Sequence, residues 1–309
     1  MIDMTIIDIG AVDLNILKVF EALYEEGGAT RAGVRLGLTQ SAVSAALARL
    51  RKTYGDQLFT RTGRGLVPTL RAQELKPLIS EGLNKCRQSL SMSGSGGNDF
   101  HGRSIVVGLS DDFEVAFGRL FIDAVAARAP GLRLAFRQTH SLVVGNMLQA
   151  RLADVAVVSG GLSSRLLGHE AIGQGRYACL MDPAYAPSTR GLTLPEYVRR
   201  DHLLISSGGF IGVVDEVLAA IGRPRRVVAS TTHFAALPHL LFGSDAIATI
   251  PKHAASAIAA RTGLQMFACP LTMPRYAVEV GWRTDALRDA AIAEVRRVLL
   301  GVLQAAHWS

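Results

Sequence analysis

Apolar residues recur at helical spacing from the start of the chain. Over residues 13–26, "DLNILKVFEALYEE", Leu14, Leu17, Phe20, Leu23 and Tyr24 form one stripe, with Asp13 placed as an N-cap and Gly27 and Gly28 as the stop. A short second helix is predicted over 30–36. A Gly-Leu-Thr turn follows, and Thr39 can cap a third helix over about 40–52. In that third helix Val43, Ala46, Leu47 and Leu50 take the i, i+3, i+4, i+7 positions of a buried face. The opposite face carries Gln40, Ser41, Ser44, Ala45 and Ala48, small and polar where a solvated face would carry Lys and Glu. Residues 55–69, "GDQLFTRTGRGLVPT", read as a hairpin with Leu58, Phe59 and Val67 inward and Arg61 and Arg64 at the tip.

Next, residues 70–91 form a long helical pattern with Leu75, Leu78, Ile79, Leu83, Cys86 and Leu90 on one stripe, bent where Pro77 and Gly82 interrupt it. The run "SGSGGND" at 93–99 has the composition of a flexible hinge. From residue 103 the period alternates. Strands are predicted at "RSIVVGL", "LRLAFRQ", "DVAVVS", "YACLM", "HLLIS", "RVVAS", "DAIATI", "LQMFAC" and "AVEVGW". Helices are predicted over 112–129, 141–152, 213–222, 233–242, 252–261 and 285–305. Such alternation implies open, mostly parallel sheets with ligand sites at the carboxyl ends of strands. The organisation expected is a helical hairpin-winged module at 11–69, a linker helix at 70–92, a hinge at 93–100 and an α/β unit at 101–309.

Charge sharpens this picture. Residues 29–71 hold Arg31, Arg35, Arg49, Arg51, Lys52, Arg61, Arg64 and Arg71 against Asp56 alone, a local excess equal to the +7 of the whole 309-residue chain. The remainder is therefore neutral, and the excess is the footprint of a polyanion-binding module. Two short helices joined by a turn containing Gly37, followed by a wing, form a winged helix-turn-helix pattern. A recognition helix must bring its first residues against base edges, which bulky charges would obstruct. Gln40 has the donor and acceptor to read adenine. Ser41 and Ser44 can bond to bases or phosphate, and Ala45 and Ala48 let the helix lie deep. Thr30, Arg31, Thr39, Arg49, Arg51, Arg61 and Arg64 complete the candidate DNA-contacting set. A solvated helix in an ordinary helical domain is the plainer alternative, disfavoured by the charge segregation and the wing.

The stretch "ATRAGVRLGLTQSAVSAALARLRKTYGDQLFTRTGRGLVPT" closely resembles the winged helix of LysR-type transcriptional regulators. Residues 39–44 follow the family's Thr-Gln-Pro-Ala-Val-Ser run with Ser41 in place of Pro, and residues 58–61 and 68–69 match its Leu-Phe-x-Arg and Pro-Thr. The resemblance implies an α plus α/β protein: a winged helix-turn-helix, a long linker helix pairing with a partner subunit, and a two-lobed effector domain of periplasmic-binding-protein type. Packing of the linker stripe on its own effector domain is the alternative. Lobe I is expected at about 103–168 and 272–309, lobe II at about 169–271. Residues 202–251 are similar to the group containing nodulation and aromatic-degradation regulators, which implies an aromatic or other small organic effector. The implied partners are double-stranded operator DNA, further copies of the chain in a homodimer or homotetramer, and RNA polymerase.

Strand ends supply the candidate effector site: Ser110, Asp112, Thr139, Ser141, Ser159, Ser206, Thr232 and His233, with Ile211 and Phe234 as apolar walls. Capping and turn chemistry accounts for any one of these about equally well. No cofactor, metal site or catalytic set is expected. There is no Gly-x-Ser-x-Gly elbow, phosphate loop or His-Glu-x-x-His motif, and Asp111 and Asp112 fit a helix start better than an acid/base pair. A solute-binding protein would lack residues 13–69 and would need an export signal, whereas "MIDMTIIDIG" has acidic Asp3 and Asp8 and no basic end. No apolar run reaches membrane-span length. Cys86, Cys179 and Cys269 lie far apart in sequence, so a cytoplasmic protein with reduced thiols is expected, each thiol either a small buried hydrophobe or a redox sensor.

Overall fold

The computed structural model describes residues 9–63, 65–91, 100–160, 162, 164, 166–187, 191–206, 208–306 and 308. The predicted hinge at 93–99 and Arg64 lie outside them. The chain divides into two compact units, residues 1–97 and 98–309.

The first unit is helical with a two-stranded wing. Helices α1 (Asn15–Glu26), α2 (Ala29–Leu36) and α3 (Gln40–Tyr54) precede strands β1 (Phe59–Thr62) and β2 (Gly65–Pro68) and helix α4 (Leu70–Ser91). Helix α1 begins one residue later than an Asp13 N-cap predicts, with Leu14 at the cap position: the Asp13 carboxylate accepts the Asn15 N–H at 3.0 Å without closing a helical cap. Gly27 and Gly37, both left-handed, end α1 and α2, as only a residue without Cβ does at little cost. Thr39 caps α3 by accepting the Ala42 N–H at 3.2 Å. Ile16, Phe20, Leu23, Val43, Leu47, Leu50, Leu58 and Phe59 form the core, each large side chain contributing about 1.5–3 kcal/mol on burial.

Asp56, the lone acid of the basic segment, fixes the wing. It accepts the Leu58 N–H at 2.6 Å and the Thr69 hydroxyl at 2.8 Å, while the Thr69 N–H donates to the Leu58 carbonyl at 2.9 Å. These bonds hold Leu58 at φ +58°, a conformation a branched side chain adopts only when its surroundings impose it.

Helix α4 does not present one continuous stripe. Ala72, Leu75 and Ile79 are buried against α1 with Leu83 packed beside them, while Leu78 and Leu90 are exposed. Lys76 pairs with Glu25 at 2.7 Å and Arg87 with Glu21 at 2.6 Å along the same α1 edge. The helical period rotates Leu78 away from that edge, whereas Leu90, about three turns beyond Ile79, lies on the same face and is exposed beyond Leu83, the last residue of α4 packed on the core.

The second unit holds two five-stranded sheets. In the first lobe β3 (Ser104–Leu109), β4 (Arg133–Gln138), β5 (Val155–Ser159), β6 (Leu167–Gly175) and β12 (Tyr276–Arg283) lie in the order β4-β3-β5-β12-β6. Helices α5 (Asp111–Arg128), α6 (Val144–Gln149) and α11 (Ala290–Gln304) accompany them. In the second lobe the order is β11-β7-β10-β8-β9, from β7 (Tyr177–Met181), β8 (Asp201–Ile205), β9 (Arg226–Thr231), β10 (Ile247–Pro251) and β11 (Gln265–Ala268). Helices α7 (Leu194–Arg199), α8 (Val213–Ala220), α9 (Leu237–Leu241) and α10 (Lys252–Thr262) complete it.

Both sheets are mixed, where the alternation predicted mostly parallel ones. Strand β12 runs antiparallel to β5 and β6, and β7 runs antiparallel to β10 and β11. The cause is the double passage between lobes, which returns a strand to each sheet without a crossover helix. Strand β6, which the periodicity does not predict, belongs to the first sheet, so the chain leaves that lobe at Gly175 rather than near residue 168. The helix expected over 233–242 is a 3-10 turn, Phe234–Ala236, followed by α9, with Pro238 at its start.

Candidate DNA-reading face and effector cleft

The amino-terminal face is built by α3. Val43, Ala46, Leu47 and Leu50 are turned into the core, which leaves Gln40, Ser41, Ser44, Ala45 and Ala48 exposed. The Gln40 amide donates to the Ser44 hydroxyl at 3.2 Å, and the Ser41 and Thr39 hydroxyls lie 3.0 Å apart. These short bonds among exposed groups are exchangeable for bonds to a base edge or a phosphate. Thr30 is exposed at the start of α2.

The basic residues separate into two kinds. Arg31 donates to the Glu26 carbonyl at 2.6 Å, Arg35 pairs with Glu25 and Glu26, and Arg51 donates to the carbonyls of Gln57 and Phe59 at 2.9 and 3.0 Å. Their guanidiniums brace the module, Arg35 and Arg51 half-buried and Arg31 from the surface. Arg49 is exposed in a pair with Asp13 at 3.2 Å, both ends wet, and such a pair is worth little. Arg61 stands exposed on the outgoing wing strand opposite Leu66, with no side-chain partner among the described residues.

The carboxy-terminal unit contains a cavity of about 280 Å3 at the mouth between its lobes. Ser110, Asp112, Thr139, Ser141 and Ser159 line it from the first lobe and Phe234 from the second. The lining also includes His140, Tyr177 and Tyr276, which strand-end reasoning missed, together with Val157, Val158 and Pro251. The four remaining candidates lie off this lining. Ser206 accepts the Gly208 N–H at 3.2 Å in a turn that carries Ile211 outward, 77% exposed. Thr232 and His233 are also exposed. Phe234, the next residue, turns inward because its N–H donates to Asp111 across the lobes at 2.5 Å.

The two acids at the start of α5 thus face different ways. Asp111 takes the backbone of the second lobe. Asp112, 4% exposed, accepts from the Ser110 hydroxyl through one oxygen and meets His253 Nε2 of α10 at 3.0 Å through the other. The His253 imidazole stacks on Phe113, with centroids 4.6 Å apart, and stands edge-on to Trp308. Opposite, the Tyr177 and Tyr276 rings meet at 5.4 Å. Burial, with the Asp112 charge adding to it, pushes both phenols above their ordinary range, so they stay protonated donors. Gly175 is required for this: a Cβ there would fall 2.1 Å from the Tyr276 ring. Thr139 Oγ1 is buried and has no partner among the described residues. Neither a phenol that stays protonated nor a carboxylate already bonded to His253 resembles a nucleophile beside its base, and among the described residues no group of His, Cys, Asp or Glu is arranged to hold a metal.

Comparison with known proteins places both halves. Residues 14–73 match the bacterial regulatory helix-turn-helix protein, LysR family, and residues 99–304 match the LysR substrate binding domain. The HTH-type transcriptional activator NahR of Pseudomonas putida is 29% identical over 93% of this chain and 96% of its own length. Nodulation protein D 2 of Sinorhizobium fredii is 30% identical over 94% of this chain and 93% of its own. Among solved structures, the "probable transcriptional regulator PA0477" of Pseudomonas aeruginosa superimposes with a TM-score of 0.72 at 27% identity, covering 96% of this chain and 98% of that one. Both family domains are therefore present in order, and the chain belongs to the LysR family: it is a DNA-binding transcriptional regulator, not an enzyme, with an effector-binding C-terminal domain.

Proposed function

We propose that this regulator acts in the cytoplasm as a homotetramer, reads operator DNA through the exposed face of α3, and passes effector occupancy to RNA polymerase. Gln40, Ser41, Ser44 and Ala45 are the base-reading residues, with Thr30, Thr39, Arg49 and Arg61 on phosphate. Arg31 and Arg51 act one step back, holding the helix hairpin and the wing. The exposed Leu78 and Leu90 of α4 supply the seam to a second copy. No helix among the described residues is long and apolar enough to cross a membrane.

The effector site is the cavity between the lobes, drawn by Ser110, Asp112, Thr139, His140, Ser141, Ser159, Tyr177, Phe234 and Tyr276. The observation that carries this reading is Thr139: a buried hydroxyl without a partner among the described residues, on a wall otherwise fitted with polar groups and rings, is matched when a ligand bonds to it. Ser159→Trp fills the cavity from the end of β5. The variant is expected to keep DNA binding in a mobility-shift assay and to lose the inducer response of a reporter. A wild-type response would refute the assignment.

A further inference from the structure

Resting on the reading of that cavity as the effector site, we propose that the effector is a small uncharged aromatic alcohol, a phenol or its close relative, and that Asp112 recognises its hydroxyl and rejects carboxylic acids.

The charge of the lining is the first ground. Among the described lining residues Asp112 is the acid, and none is Lys or Arg. His253 lies behind Asp112, stacked on Phe113 and edge-on to Trp308, and is not part of the lining. A ligand therefore meets the Asp112 carboxylate and not the His253 imidazole, and the imidazole on the lining is that of His140. An anionic ligand there would stand beside a like charge in a partly water-excluded space.

The start of α5 is the second. A helix N-terminus favours anions, but this one already carries Asp111, Asp112 and Glu114 in its first turn. The field that would attract a ligand carboxylate is met by the protein's own acids.

Third, the unsatisfied capacity is that of an acceptor. An ionised carboxylate offers about four lone-pair sites. Ser110 and His253 each occupy one on Asp112, and both hold its plane fixed. The sites that remain accept a hydrogen from a ligand O–H or N–H. Thr139 Oγ1, 4% exposed at the residue level and unpartnered among the described residues, can accept from or donate to the same hydroxyl. Tyr177 adds a neutral phenolic donor, whereas the Tyr276 hydroxyl donates to the Arg176 carbonyl at 3.5 Å and leaves its oxygen to accept.

The walls set the rest. Phe234, Val157, Val158, Pro251 and the two tyrosine rings form flat apolar surfaces. A cavity of about 280 Å3 is at the small end for ligand sites, which fits one substituted ring.

The test compares ring-matched probes, 4-ethylphenol and 4-ethylbenzoate, by calorimetry on the full chain at pH 7.5. The phenol is expected to bind tighter than the acid by about tenfold or more. Asp112→Asn removes the charge at nearly constant shape, and circular dichroism and a melting curve establish that it folds. In it the preference is expected to collapse to about threefold or less, chiefly because the acid gains. Ser159→Trp is expected to abolish binding of both. Should the native chain prefer the acid, with binding still lost in Ser159→Trp, the inference falls and the cavity remains the effector site. Binding that survives Ser159→Trp undoes the cavity assignment itself. No phenol binding by the native chain at millimolar concentration overturns the inference whether or not Asp112→Asn folds.

Discussion

His202 offers a quantitative test of the second lobe. The side chain is fully buried at the start of β8. Its Nε2 lies 2.9 Å from the Tyr197 carbonyl, which can only accept, so Nε2 carries the hydrogen. Its Nδ1 faces the Arg225 guanidinium at 3.5 Å, and Arg225 is locked to Asp215 at 2.8 and 2.9 Å. A proton on Nδ1 would point at a cation inside the core. Burial foremost, with the Arg225 charge, pulls the pKa from 6.5 down to about 4, against the opposing pull of the Tyr197 carbonyl. In the unfolded chain the imidazole titrates near 6.5. Between the two values the unfolded state binds the extra proton, so stability is full above about 6.5, falls as pH falls, and levels off below about 4. From pH 7 to pH 5 the loss from this one residue is about 2 kcal/mol, and about 3 kcal/mol once both values are crossed. For a unit of roughly two hundred residues that lowers the melting temperature by about 4–8 °C.

Both tryptophans, Trp282 and Trp308, lie in the C-terminal unit, so their fluorescence reports its unfolding. The control is His202→Gln, whose amide can still donate to the Tyr197 carbonyl but does not titrate. Urea unfolding at pH 7 and pH 5 is expected to show wild type losing about 2 kcal/mol more than the variant. Carboxylates titrate in both proteins and cancel in the difference. Equal losses would refute the argument, since they would mean that His202 meets acid in the folded state as readily as in the unfolded one.

Other perturbations address the DNA module and the assembly. Arg61→Ala should weaken binding to cognate and random DNA alike and reduce the salt slope by about one; Arg51→Ala should instead lower the melting temperature of the module, because two carbonyls at the wing lose their donor. Gln40→Ala should cost about 1–3 kcal/mol on the cognate site and far less on random DNA, and equal losses would leave Gln40 a positioning contact only. Leu90→Asp should lower the mass found in sedimentation while leaving the helical spectrum intact, because Leu90 is 76% exposed within one copy; an unchanged mass would place the seam elsewhere.

The amino-terminal module was legible because its signals are local. The face of α3 follows from a 3.6-residue period, and the turn from Gly37 and Thr39, all within twenty residues. What stayed hidden there was the use of each arginine. Arg51 and Arg61 look alike in sequence, yet one is turned onto the carbonyls of Gln57 and Phe59 and the other faces solvent. The difference depends on where the wing folds back, and Asp56 fixes that through Thr69, thirteen residues away.

In the carboxy-terminal unit the same reasoning named residues that line the cavity on the first-lobe side and, on the second-lobe side, mostly residues that lie off it, for a physical reason. Ser110, Thr139 and Ser159 end strands β3, β4 and β5, which are neighbours in one sheet, so the end-of-strand rule alone brings them together. Which residues oppose them depends on how the second lobe is turned, and no local pattern encodes that. The orientation is set by long-range pairs: Asp111 to the Phe234 amide across 123 residues, and Asp112 to His253 across 141. Tyr177 and Tyr276 enter because each begins the strand just after a passage between lobes, where a first residue necessarily stands at the mouth. Ser206 and His233 obey the end-of-strand rule as well as Ser110 does, yet the rotation of the lobe leaves them off the lining. A pocket made by two sheets is thus legible from sequence on the side whose strands are neighbours, while its opposite wall is decided by a few contacts between side chains far apart in the chain.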